Sequence, residues 1–166
     1  MIVIGIDPGI AITGYGIICQ KENGKLAVAD YGAIVTSQSG CNDSERLLLI
    51  YRRLNEILAL HRPQAAAVEK LFFQKNARTA MAVGQARGVA LLALAQNTVQ
   101  VYEYAPVEIK QALTGYGGAD KRQMQEMVKL RLSLREVPKP DDVADALAIA
   151  ICHLQSYRLQ NLEVQG

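Results

Sequence analysis

The sequence has little cysteine, only scattered histidine and no long apolar run, and each shortage closes off a class of protein. Its three cysteines, Cys19, Cys41 and Cys152, are odd in number and far apart, with no CxxC pair and no clustered histidine. Neither a disulfide framework nor a structural zinc site is supported, and a reducing cytoplasm is the expected compartment. No apolar stretch approaches the roughly 18 residues of a membrane-spanning helix. The opening MIVIGID reaches Asp7 with no basic leader and no small-residue cleavage site, so neither secretion nor membrane insertion is expected. A charge imbalance is also missing. Lys plus Arg number 18 against 16 Asp plus Glu, so any electrostatic footprint for a polyanion must come from where the charges lie. There is no internal repeat, low-complexity stretch or linker. With 166 residues, half of them hydrophobic, one compact domain is expected over residues 1–158, followed by a short tail at 159–166.

What is present reads as strands, then strands alternating with helices. Ile2 to Ile6 is an apolar run broken by Asp7-Pro8-Gly9, where Pro at the second position and Gly at the third suit a type II turn. Thr13 to Gln20 and Leu26 to Thr36 read as strands joined through Asn23-Gly24, a pair that favours a tight hairpin. Asn42 and Glu45 have capping-box spacing, and Leu47, Ile50, Leu54, Ile57 and Leu58 recur at helical spacing up to His61. Pro63 ends that helix, and Gln64 to Glu69 reads as a buried strand. A helix from about Asn76 to Gln96, a strand from Val99 to Tyr104 and a short helix from Pro106 to Leu113 follow. Thr114 to Ala119 is a glycine-rich turn, Asp120 with Gln123 opens a helix to about Leu132, and a last helix runs from near Pro140 to Tyr157. The sum is an α/β domain on a mixed five-stranded sheet, an antiparallel meander followed by parallel strands, flanked by helices.

Asp7 and Glu69 each terminate an apolar strand, where ligands and reactive groups collect in α/β sheets. Asp142 and Asp145 are three residues apart on a helix whose remaining sequence, VADALAIAI, must lie against the sheet. Carboxylates gathered at the edge of a core repel one another and resist ionisation unless a cation neutralises them. An all-oxygen donor set without cysteine or paired histidine favours a hard divalent cation, Mg²⁺ with Mn²⁺ as a substitute, and four carboxylates suffice for two ions. Such a pair of ions activates water and stabilises a leaving oxygen in phosphodiester hydrolysis. Taken singly, Asp7 and Asp142 could equally serve a turn and a helix start.

The strings IDPGI with TGYG, AAVEKLFFQKNA, GQARGVAL, EIKQALTGYGGADK and DDVADALAIA, in this order and spacing, resemble the RuvC family from Gly5 to about His153. These are bacterial crossover (Holliday) junction endodeoxyribonucleases with a ribonuclease H-like fold. The resemblance implies that Asp7, Glu69, Asp142 and Asp145 are the catalytic, metal-binding carboxylates. The family spacing, acid-x-x-D-A-L, selects Asp142 over Asp141, which is left as helix-start charge or cap; some members carry histidine at the Asp142 position. It also implies a homodimer whose subunits each nick one strand, leaving 5′-phosphate and 3′-hydroxyl ends, a preference for a short thymine-containing cleavage sequence, and RuvA and RuvB as branch-migration partners in recombination and repair.

Phe72 and Phe73, the only phenylalanines, open a polar stretch just after Glu69. They are either core residues or a wedge between bases, and the resemblance favours Phe72 as the wedge. From Lys70 to Tyr102 there are Lys70, Lys75, Arg78 and Arg87 and no acid, a local positive surface in a nearly neutral chain. The resemblance assigns Lys110 and Lys121 to DNA contact or support of catalysis; for Arg78 and Arg87 a solvated helix face is the other reading. TGYGGA before Asp120 is either a plain turn or a phosphate cradle at a helix start. His61 suits a helix C-terminus and His153 an interior or surface place, with no role assigned to either. Small residues from Ala77 to Ala95 occur on all faces of their helix, which is either wholly enclosed or packed against its copy in a twofold dimer. Two rival readings remain open. An actin-like ATPase relative would need a second domain and a second glycine-rich phosphate motif of DxG form after a strand. A non-catalytic junction-binding protein would have no need of all four acids.

Overall fold

The computed structural model describes residues 1–37, 40–71 and 77–164, with side chains described up to Tyr157 and, after the second gap, from Ala80. The elements in chain order are β1 (Ile2–Asp7), β2 (Ile12–Gln20), β3 (Leu26–Val35), α1 (Asp43–His61), β4 (Ala65–Glu69), α2 (Ala77–Gln96), β5 (Gln100–Tyr104), α3 (Pro106–Thr114), α4 (Lys121–Arg131) and α5 (Asp141–Val164). They build one five-stranded sheet in the order β3-β2-β1-β4-β5. β1 pairs antiparallel with β2 and parallel with β4, and β4 pairs parallel with β5, so the meander and the parallel half share β1 as their seam.

Alternation along the strands divides the core into two layers. Ile4, Ile6, Ile17, Ala66 and Val68 face α1 and α2, where Ile50, Leu54, Leu58, Ala86, Ala90 and Leu94 complete one cluster. Val3, Ile18, Ala65 and Ala67 face the other way, onto α5 with α3 and α4 beside it. Alanine dominates the buried side of α2, at Ala86, Ala90 and Ala93, whereas α5 mixes alanine with Val143, Leu147, Ile149, Ile151 and Leu154.

Local chemistry sets the element ends as expected at two helices. Asn42 accepts from the Glu45 amide at 3.0 Å while Glu45 accepts from the Asn42 amide at 2.9 Å, and Asp120 with Gln123 repeats the arrangement at 2.8 and 2.9 Å. Three details differ from expectation. Gly9 lacks the positive φ that a type II turn demands; a Cβ there would stand 2.4 Å from the Ile12 carbonyl, so space and not handedness requires the glycine. At the hairpin only Gly24 is left-handed, with its amide on the Lys21 carbonyl and the Lys21 amide on the Lys25 carbonyl. That is a turn closed by a left-handed glycine, not the two-residue type with both centres left-handed. Finally, α5 passes Tyr157 and continues to Val164, so residues 159–164 prolong the helix.

Candidate active site

β1 and β4 run side by side in register, Gly5 opposite Ala67 and Ile6 opposite Val68, and end together at Asp7 and Glu69. The period of two then decides which way those last residues point. Asp7 follows Val3 and Gly5, Glu69 follows Ala65 and Ala67, and both series face α5.

Three glycines bring α5 down onto that face. Gly14, paired with Asp7 across β1 and β2, lies so near the first turn of α5 that a Cβ would stand 2.0 Å from the Asp142 carbonyl oxygen. A Cβ on Gly5 would stand 2.0 Å from the Ala146 carbonyl, and one on Gly16 would meet Leu147 at 2.5 Å. The helix therefore rests on bare backbone, and its i, i+3 pair Asp142 and Asp145 is carried to the strand ends. Sequence reasoning missed these glycines; their recurrence at Gly14 and Gly16 in one strand, an element that glycine ordinarily weakens, was the available signal.

The result is a cluster of like charge. Burial and then the Asp145, Asp142 and Glu69 carboxylates push the Asp7 carboxyl up from 3.8 to about 7, against a smaller opposing pull from Lys121. Glu69 is raised by burial and by Asp145, with Lys110 pulling it down. Burial also raises Asp145, opposed by Lys121 at 3.6 Å. Among the described residues, no three His, Cys, Asp or Glu side chains as placed form a closed set for a metal ion. The donor chemistry nonetheless fits hard divalent cations: all the donors are carboxylate oxygens, burial and neighbouring carboxylates suppress the ionisation of Asp7, Glu69 and Asp145, and the only cations among the causes of those shifts are two lysines. A cleft of about 260 Å³ opens beside the cluster, walled by Glu69, Lys110, Asp120, Lys121 and Asp145.

Asp141 and Asp142 are separated by the helical turn. Asp141 is exposed and points to α4, where Lys121 Nζ meets it at 3.0 Å and Gln125 Nε2 donates to it at 2.9 Å. Asp142, and not Asp141, is among the groups that raise Asp7.

The remaining candidates divide. Phe72, Phe73 and Lys75 lie outside the described residues, as does the expected helix start at Asn76. Arg78 is placed in the first turn of α2, with its side chain outside the description. Lys70 is half-exposed with Glu108 at 4.0 Å. Arg87 does not join a positive surface: its side chain is 11% exposed, Nη2 is bound to Glu103 on β5, and Nη1 is buried without a partner. The acid that neutralises it stands just past the acid-free stretch, brought back by the turn from α2 into β5. The phosphate-cradle reading of TGYGGA also fails, because the Asp120 carboxylate already fills the N-cap of α4 and would repel an anion. His61 ends α1 and meets Asp30 at 3.0 Å. His153 is interior, among Tyr102, Tyr104 and Tyr157, with Nδ1 2.8 Å from the Tyr104 hydroxyl and Nε2 unpartnered; burial lowers its pKa.

A three-stranded meander continued by two parallel strands, with carboxylates at the central strand ends and on a helix laid across them, defines the ribonuclease H-like class. Comparison with known proteins then narrows it. The family model described as crossover junction endodeoxyribonuclease RuvC matches residues 3–153. The crossover junction endodeoxyribonuclease RuvC of Caldicellulosiruptor saccharolyticus is 55% identical over 156 residues, covering 94% of this chain and 93% of that protein. The solved structure of Thermus thermophilus RuvC superposes with a TM-score of 0.88 at 40% identity over 96% of this chain and 97% of that one. The same protein in complex with a Holliday junction substrate gives 0.86 at 37% identity, covering 96% of each chain. The chain belongs to the RuvC family of crossover junction endodeoxyribonucleases.

Proposed function

We propose that this chain resolves four-way DNA junctions, hydrolysing a phosphodiester bond in each of two strands at the site formed by Asp7, Glu69, Asp142 and Asp145. The observation that carries the reading is the convergence of these four carboxylates from β1, β4 and α5 on one face of the sheet, in a chain of this family. Asp7, Glu69, Asp142 and Asp145 would hold two Mg²⁺ ions, with Mn²⁺ able to substitute. When bound, the ions supply activation of the attacking water and neutralisation of the leaving 3′ oxygen, giving 5′-phosphate and 3′-hydroxyl ends.

The chain's own part is to assemble the anionic site and to draw a polyanion to it. Lys110 and Lys121 line the cleft mouth as positive counterparts to the acids, placed to meet DNA phosphate. Phe72 is the wedge at the junction centre by family resemblance, and Phe73 beside it, with Lys75 and Arg78 of the acid-free basic stretch, extends the DNA contact. The dimer reading is supported by α2: Ala86, Ala90 and Ala93 are buried under the sheet, while Met81 and Leu92 are exposed on the far side and Gly84 and Gly88 have open space where a Cβ would stand. A second copy of this helix fits that side, and a twofold axis gives two like sites for two like strands. RuvA and RuvB are the partners the family implies. No helix among the described residues is long and apolar enough to cross a membrane, in keeping with a cytoplasmic place of action.

The test is cleavage of a mobile synthetic four-way junction against the matching linear duplex, with Mg²⁺ or EDTA, for the unmodified protein and Asp7→Asn. Paired symmetric nicks in the junction alone, only with Mg²⁺ and only without the substitution, are expected. Junction binding with no cleavage under Mg²⁺ or Mn²⁺ across varied core sequences would replace catalysis with binding alone.

A further inference from the structure

The turn between α3 and α4 has lost its role as a phosphate cradle, yet it is built with more care than a connector needs. Gly115 caps α3 in the left-handed conformation with its amide on the Gln111 carbonyl at 2.8 Å. The Tyr116 backbone is then held from both sides. Its amide donates to Thr114 Oγ1 at 3.1 Å, and its carbonyl accepts from the Ala119 amide at 3.3 Å and lies 2.9 Å from the Thr114 hydroxyl. Gly117 presses on α3, where a Cβ would meet Val107 Cγ2 at 2.7 Å. Gly118 makes room for the tyrosine ring, since a Cβ there would stand 2.5 Å from the Tyr116 hydroxyl and 2.6 Å from Cζ. The ring thus lies along the loop with its hydroxyl toward Gly118.

That ring is nevertheless 67% exposed, and Val107 beside the loop is 55% exposed. Burial within the chain does not account for an exposed aromatic side chain on a loop whose backbone is pinned from both sides. Its surroundings indicate the occupant. Lys110 precedes the loop and Lys121 follows it, both walling the cleft with Glu69 and Asp145, and Ala119, whose amide binds the Tyr116 carbonyl, lines the same cleft. Arg122, on the next residue of α4, is exposed. A strand seated with its phosphate at the carboxylates would meet both lysines at the cleft wall, with this loop joining the helices that carry them.

Resting on the function proposed above, we propose that Tyr116 is a DNA-contact residue, its ring packing flat against the sugar or base of a nucleotide flanking the scissile phosphate. Lysines on either side supply affinity for any phosphate, while an aromatic face recognises a nucleotide that the junction leaves unstacked and accessible. The contact is apolar, so it adds affinity without adding counterion release.

The test is junction binding in EDTA by fluorescence anisotropy across a series of KCl concentrations, for the unmodified protein, Tyr116→Phe, Tyr116→Ala and Lys110→Ala, with cleavage in Mg²⁺ scored separately. Tyr116→Ala is expected to weaken binding roughly tenfold at every salt concentration with an unchanged slope, and Tyr116→Phe to bind as the unmodified protein. Lys110→Ala is expected to reduce the salt slope by about one. The thermal midpoint of Tyr116→Ala should match that of the unmodified protein, because the ring is exposed. Binding of Tyr116→Ala within twofold of the unmodified protein, a changed salt slope, or an equal loss in Tyr116→Phe would each overturn the proposal. If the unmodified protein binds and cuts junctions while Tyr116→Ala binds equally well, this inference alone fails. If it binds but does not cut, the catalytic reading alone fails, and if it binds no junction, both fail.

Discussion

Replacing Asp7 by Asn should stabilise the metal-free protein, and by more as pH rises. The carboxyl is raised from 3.8 to about 7, first by burial and then by Asp145, Asp142 and Glu69. Below pH 3.8 it is neutral in both the folded and the unfolded chain, so it contributes no pH-dependent difference. Between 3.8 and about 7 the folded state holds a proton that the unfolded state has released, so stability falls as pH rises through this window. Above it the full penalty of an ionised, crowded carboxylate is in place. A shift of about three units at about 1.4 kcal/mol per unit gives a penalty on the order of 4 kcal/mol. Asparagine keeps the shape and omits the charge. Urea denaturation in EDTA, repeated from pH 4 to pH 8.5, should show the gap between Asp7→Asn and the unmodified protein widening by about 2–4 kcal/mol and levelling off above pH 7.5. Mg²⁺ should narrow the gap by stabilising only the chain with the intact cluster. A gap that stays flat across this range, or one that Mg²⁺ leaves untouched, refutes the reasoning that links these carboxylates through mutual repulsion.

Gly14→Ala places a methyl group where the Asp142 carbonyl of α5 now sits. It should lower stability by about 1–3 kcal/mol and junction cleavage by roughly 100-fold through displacement of Asp142 and Asp145, read by denaturation and single-turnover cleavage. Asp142→Asn should abolish cleavage while Asp141→Asn, altering an exposed pair with Lys121 and Gln125, stays within about fivefold; equal losses would contradict the division of the two acids between Asp7 and α4. Tyr104→Phe removes the hydroxyl partner of buried His153, whose other ring nitrogen is already unpartnered, and should cost about 1–2 kcal/mol in denaturation.

The strands and helices were readable because their signals are local. The apolar run in MIVIGID, helical spacing from Leu47 to Leu58, and the Asn42–Glu45 and Asp120–Gln123 boxes depend on residues within a turn or two of one another. The acids could be picked out for the same reason: Asp7 and Glu69 interrupt apolar runs, and Asp142 and Asp145 interrupt an apolar helix. The positive surface was misread at longer range, while the Gly9 turn, the Gly24 turn and the end of α5 differed only in local detail. Arg87 belonged to an acid-free stretch of sequence, but its charge is met by Glu103 on β5, across the turn that follows α2. The Asp120–Gln123 box, legible in the sequence, is what excludes a phosphate from the turn before it.

The sequence by itself therefore determined the order and kind of the elements and which acids stand at their ends, since pattern and capping act within a few residues. Only the tertiary structure decided that Asp7 and Glu69 share a face with α5, and it placed Asp142, the acid the family spacing selects, with them while turning Asp141 to α4. Those outcomes turn on how closely α5 approaches bare backbone at Gly5, Gly14 and Gly16, and on the rotation at which it lands. Packing distance and helix rotation depend on contacts between residues far apart in the chain, which no local pattern records.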